Sequence, residues 1–344
     1  MSDTTKTNLV NPYSYSMKQA IVGLVLLLSM ISAVLVTPFP EVDISNGVIH
    51  AKIYLPDSTQ GYYQGVRFDW SGVMASLTYN GHSYVGQWFD KYDPKLHDAI
   101  SGPVEEFTPI GYETAQVGED FLKIGVGSLR KTADAPYRFA QSYPTVNMGK
   151  WMVKSKNDAV VFTHELTDAA GYSYLYRKTV KLLKGTPTLV LEHSLKNTGR
   201  KPIETTVYDH NFYMIDNQPT GPAMIVTFPF KLQTNEKARG LGTLFETHTN
   251  QIAYLRELTK GESTHTYLTG FGDTSQDYDI RIENSKTGAG VHITGDQPIT
   301  QLAFWSIATV ICPEPYIQIK AEPGKEFTWK ITYDFYTHPP VAPK

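Results

Sequence analysis

From residue 41 onward the chain keeps reversing direction. Short runs of alternating apolar and polar residues end at Gly, Pro, Asn or Asp, and another run begins roughly every ten to fifteen residues. No 3.6-residue apolar period intervenes. Consecutive strands with tight turns and no crossover helices pair antiparallel, so the pattern predicts an all-β sandwich. The hairpin signals are specific. In GVMASLTYNGHSYVGQW two alternating runs flank Asn80-Gly81, the strongest two-residue hairpin signal. Residues 172–215 read as three strands turning at Lys184–Pro187 and at Asn197–Gly199, and 277–295 as a hairpin turning near Lys286–Gly288. QPITQLAFWSI, YIQIKA and EFTWKITYDFY close the chain as strands. No Gly/Ser- or Pro-rich linker divides 41–344, which predicts one large domain after an N-terminal extension of residues 1–40. Residues 85–150 lack a clean period. They read equally as binding loops or as a surface excursion.

The chain has 344 residues, 12% of them aromatic, and a formal charge of −3. No basic run offers the footprint that nucleic acid needs, so no nucleic-acid partner is expected. The single cysteine, Cys312, cannot close an internal disulfide, and no zinc-type Cys/His spacing occurs. Residues 1–16 are polar. Met17-Lys18 then precede an apolar run, Ala20–Val36, with the layout of a basic n-region and a leucine-rich h-region. Two readings stay open: a signal peptide, with Met17 as an alternative start, or an uncleaved membrane anchor. Both predict an exported domain, and one without disulfides suits a periplasm. Membrane contact is expected only through residues 20–36, if they are retained.

Two stretches carry chemistry. In TTVYDHNFYMIDN, alternation puts Tyr208, His210 and Phe212 on one face of a strand. An imidazole has a reference pKa of about 6.5, which suits proton transfer. The alternative is a half-buried histidine bonded to backbone. In CPEP, residues 312–315, Pro313 and Pro315 remove two ladder donors, which predicts a break rather than a regular central strand. Glu314 is confined between them. A stiff, partly buried carboxylate with a raised pKa would serve as a general base; the alternative is a solvated Glu at a strand break. Aromatic residues, Trp305 among them, offer faces for the C–H side of a sugar ring.

QLAFWSIATVICPEPYIQIKAEPGKEFTWKITYDFY resembles the C-terminal segment of the aldose 1-epimerase (galactose mutarotase-like) superfamily. The matching residues are Trp305-Ser306, Cys312–Pro315, Pro323–Lys325 and Tyr333–Phe335. LEHSLKNTGRKPIETTVYDHNFYMI and GVMASLTYNGHSYVG resemble its middle segment and its opening hairpin. The resemblance implies a β-supersandwich, a sugar on its concave face, and anomer interconversion without a cofactor. Carried over, Glu314 is the base at the anomeric hydroxyl and His210 the acid at the ring oxygen. An Asn-Arg-Ile-type segment is missing; Arg67, in QGVRFDW, precedes the hairpin instead. The Leu-His-Gly segment has its nearest counterpart in Leu96-His97-Asp98. Glu105 and Glu106 are candidates for sugar hydroxyls or a cation, and Asp273 for the family's aspartate. His82, at the hairpin tip, is expected in solvent, and Cys312 is expected to be a bystander.

Three readings follow: a mutarotase-like isomerase acting on a sugar, a noncatalytic saccharide-binding domain, or a lyase or hydrolase on the same fold. A hydrolase normally shows two opposed carboxylates, and only Glu314 qualifies. A catalytic pair predicts carboxylate and imidazole in one pocket, separated by the width of a pyranose.

Overall fold

The computed structural model describes residues 39–339, apart from 170, 235 and 236. The N-terminal apolar run lies outside the described residues. Among these, the helical elements are two single turns of 3₁₀ helix, and the rest is strand and loop. The expected hairpins form. Met74–Tyr79 and His82–Val85 pair across Asn80 and Gly81, at φ 50° and 81°, the left-handed pair a type I′ turn requires.

Two antiparallel sheets dominate. The larger has ten strands, with Tyr172–Leu182, Thr188–Asn197 and Glu326–Thr337 side by side near its middle. The smaller has six, in which Ser263–Thr269, Gln301–Ile307, Val310–Ala321, Ile203–His210 and Val104–Phe107 follow one another. Leu189, Leu191, Leu195, Ile331 and Tyr333 of the first share one continuous apolar core with Val207, Ile317, Ile319, Leu302 and Phe304 of the second. This is a sandwich of two inner faces. A separate aromatic cluster, with Phe68, Trp70, Tyr112, Phe121 and Tyr143, packs against Phe212 and Cys312 of the smaller sheet's other side. The irregular stretch 85–150 therefore has its own buried side chains and covers that face.

One expectation is overturned. Val310–Ala321 is a single twelve-residue strand that runs through CPEP in the interior of its sheet. Pro313 and Pro315 are two residues apart, so both missing N–H groups point toward the same neighbour. The ladder to Gln301–Ile307 is intact from Gln301↔Tyr316 to Ile307↔Val310. The whole deficit falls on the side of Ile203–His210, where pairing stops at Tyr208↔Tyr316 and returns at Tyr213↔Ile311 in the same register. Asn211 fills the gap by donating from Nδ2 to the Pro313 carbonyl at 2.9 Å.

The core also buries charge. Glu105 accepts from His193 Nε2 at 2.6 Å and from Lys178, and each of the three is at most 3% exposed. Burial pushes the Glu105 carboxyl up, but Lys178 and His193 outweigh it and hold it at about 2. Breaking such a pair leaves an uncompensated buried charge, at a cost of about 3–5 kcal/mol. Lys178→Met is therefore expected to lower unfolding free energy by that order in urea titrations. Adding Glu105→Gln should restore part of the loss.

Candidate active site

The register that pairs Tyr208 with Tyr316 and Tyr213 with Ile311 sets His210 opposite Glu314 on adjacent strands. Alternation then sorts the neighbours. Glu106, Tyr208, His210, Glu314, Tyr316, Ala303, Trp305, His265 and Tyr267 face outward and line one cavity of about 470 Å³. Glu105 and Asp209, each one residue out of phase, face the core instead. Arg67, Trp88, His97, Tyr137 and Phe139 complete the wall from the covering loops.

His210 Nε2 is 3.3 Å from Glu314 Oε1. The imidazole is wedged among rings: Phe212 stacks on it at 3.8 Å between centroids and 9° between planes, and Trp88 stacks on Phe212 in turn. Phe68 and Trp305 meet the imidazole edge-on at 5.6 and 5.8 Å. Its Nδ1 is buried and has no hydrogen-bond partner among the described residues. Burial, then the nearby Arg67 charge, hold the histidine well below its ordinary pKa. Burial likewise raises the Glu314 carboxyl to about 8, with Arg67 opposing and Glu106 assisting. Both effects disfavour the charged forms, so at neutral pH the pair is uncharged and holds one exchangeable proton.

Beside this dyad lies an ionised cluster. Arg67 Nε donates to Glu106 Oε2 at 2.6 Å, and Arg67 Nη2 approaches the Tyr208 hydroxyl at 3.0 Å, which itself donates to Glu106. Lys123, fully buried, stands 3.6 Å from Glu106 Oε1, and burial lowers it to about 8. Burial alone would raise Glu106, but Arg67 and Lys123 prevail and hold it low. Arg67 is placed by the turn that follows it. Asp69 N–H donates to the Glu105 carbonyl at 2.9 Å, and Asp69 Oδ2 accepts from Tyr176 at 3.0 Å. Phe139 lies over the guanidinium with its ring centre 4.1 Å away.

Six of the eight sequence candidates thus meet in one cavity: Glu314, His210, His97, Arg67, Glu106 and Trp305. Two do not. Glu105 is diverted to the core by strand parity, and Asp273 sits in an exposed loop outside the cavity lining. His82 is not free in solvent; its Nδ1 is 2.9 Å from Asp216. The separation expected of an acid–base pair is also corrected. His210 and Glu314 are in direct contact at 3.3 Å, with no ring's width between them. The sequence reading missed Trp88, Tyr137 and Phe139, which lie in the stretch without period. Alternation from His265 and Glu314 could have found Tyr267 and Tyr316.

No protein-family model and no curated protein matches the sequence. Solved structures do match, and they define the class: the chain has the galactose mutarotase-like β-sandwich fold. A galactose mutarotase-like protein from Clostridium acetobutylicum superposes with a TM-score of 0.53 at 12% identity, over 86% of this chain and 95% of that one. A galactose mutarotase related enzyme from Lactobacillus acidophilus gives 0.52 at 13%, over 86% and 97%. An aldose epimerase homologue from Caenorhabditis elegans gives 0.52 at 14%, over 87% and 99%.

The buried dyad makes stability depend on pH. Glu314 holds its proton up to about 8 in the folded chain, against an ordinary value of 4.5. Its contribution is complete below pH 4.5 and declines as the unfolded chain alone ionises between 4.5 and 8. Glu314→Gln carries no proton to lose. At pH 8 it should therefore unfold at higher urea than the wild type, by about 4–5 kcal/mol at roughly 1.4 kcal/mol per pKa unit. The two proteins should converge near pH 4.5.

Proposed function

We propose that this chain is a carbohydrate-active isomerase of the aldose 1-epimerase type, interconverting the anomers of a reducing sugar. The contact between Glu314 and His210 on the floor of an aromatic-walled cavity carries this reading; the fold shared with mutarotase-like structures supports it. Fold alone would not suffice.

The chemistry needs one proton in and one proton out, and the dyad supplies both without net consumption. One member removes the proton from the anomeric hydroxyl while the other delivers a proton to the ring oxygen. The bond from C1 to the ring oxygen breaks and C1 becomes an aldehyde carbon. Rotation about the bond from C1 to C2 presents the other face, and the reverse transfers close the ring. With the proton on Glu314, the carboxyl is the acid and His210 the base. Moving that proton across the 3.3 Å contact gives the opposite assignment, with Glu314 as base, as the sequence resemblance implies. Both forms contain the same single proton, so both are competent. The ion pair of Arg67 with Glu106 and the cavity's aromatic faces would grip hydroxyls and ring C–H groups. A working place outside the cytoplasm, reached through the apolar run at 20–36, belongs to the same proposal. Detection of the domain in the periplasm or membrane fraction of the producing cells tests that part.

Proton NMR of anomer exchange across a panel of aldoses tests the activity. Wild type should accelerate exchange for at least one sugar, and Glu314→Gln and His210→Asn should each lose about 10²–10⁴-fold. The rate constant kcat/KM should fall as pH rises past about 8, where the dyad loses its only proton, and hold level toward mild acid. A rate that climbs through pH 8 contradicts the one-proton dyad. Calorimetric sugar binding with no exchange for any aldose would replace the isomerase with a noncatalytic saccharide receptor.

A further inference from the structure

The cavity extends beyond what one sugar ring at the dyad can use. Tyr267 and Phe139 are the large aromatic side chains that remain about half exposed, at 50% and 48%, and both line this cavity. Exposed aromatic surface is costly to maintain, and its concentration on one rim marks a contact surface. The two rings differ in what they already touch. Phe139 lies over the Arg67 guanidinium and edge-on to His97. The ring contact of Tyr267 is a T-shaped one with His265 at 5.3 Å between centroids, and half of the residue's surface stays exposed.

The register fixes where Tyr267 stands. Tyr267 pairs with Ala303, and Ala303 with Glu314, so the three form one row across three strands. Two interstrand spacings put Tyr267 about 10 Å from Glu314 along the sheet. The residue between them is alanine, 1% exposed, whose methyl leaves the floor low where Trp305 and Tyr316 rise on either side. A ring with its anomeric carbon at the dyad occupies this trough, and a second ring joined to its far side reaches Tyr267. The imidazole of His265 and the hydroxyl of Tyr267 are polar edges at that end, matching a ligand with C–H faces and hydroxyl rims.

We propose that Tyr267 forms a second saccharide subsite, and that the substrate is a reducing oligosaccharide rather than a free monosaccharide. Its reducing-end ring lies at Glu314 and His210, and its next ring stacks on Tyr267. This rests on the saccharide reading of the cavity but not on turnover. Anomer exchange is measured for reducing disaccharides and for their component monosaccharides with wild type, Tyr267→Ala and Tyr267→Phe. Disaccharide binding is measured in parallel by saturation-transfer NMR. The Ala variant should lower the ratio of disaccharide to monosaccharide kcat/KM about tenfold, and the Phe variant should restore it. Saturation transfer to the non-reducing ring should vanish in the Ala variant. Disaccharide contact that depends on Tyr267 without anomer exchange would support the subsite while removing the isomerase. An unchanged ratio together with unchanged saturation transfer overturns the subsite, even where monosaccharide exchange is fast.

Discussion

The site depends on two amide hydrogens that are absent. Pro313 and Pro315 cannot donate, and because they share strand parity their deficit opens a single seam between two neighbouring strands. Within that seam His210 and Glu314 face each other in register, and Asn211 spans part of the gap from behind. A regular ladder would have drawn those two strands together through backbone bonds alone. The interrupted one leaves side chains to define the contact, while the intact ladder to Gln301–Ile307 and the bridge at Tyr213↔Ile311 prevent slippage. Register slippage by one residue would exchange His210 for Asp209 and turn the imidazole into the core.

The same parity divides the acidic residues into two populations with opposite electrostatics. Glu105 and Glu106 are adjacent in sequence, yet one faces the apolar core and the other the cavity. Both are buried, and both are ionised because cations were buried with them: Lys178 for Glu105, Arg67 and Lys123 for Glu106. Glu314 is buried to a similar degree without a cation in contact, and no hydrogen bond reaches its carboxyl from another described residue besides the close approach of His210. Burial raises its pKa, and the more distant Arg67 charge offsets that only in part. What separates the two ionised carboxylates from the protonated one is a dedicated cationic partner.

Much of this was legible in the sequence because it follows from period two. The hairpin at Asn80-Gly81, the three consecutive strands of 172–215 and the shared face of Tyr208, His210 and Phe212 are local patterns. Other features were hidden because they are set by tertiary pairing. CPEP reads locally as a break; only the neighbouring strands show that a central strand tolerates prolines whose missing donors all fall on one side. Arg67 lies far in sequence from the strands it serves, and the tie of Asp69 to Glu105 and Tyr176 that places it is long-range. Trp88, Tyr137 and Phe139 belong to a segment whose order comes from aromatic packing, and such packing leaves no period to read.

The rings around His210 explain why the pair is neutral. Nδ1 has no hydrogen-bond partner among the described residues and Phe212 stacks on the ring, so nothing beside the imidazole replaces the solvation that a charged form would lose on burial. The resting pair is therefore held in its uncharged form by desolvation rather than by a hydrogen-bonded orienting group. What is preorganised around the pair is a low-polarity surround built from Phe68, Phe212 and Trp305.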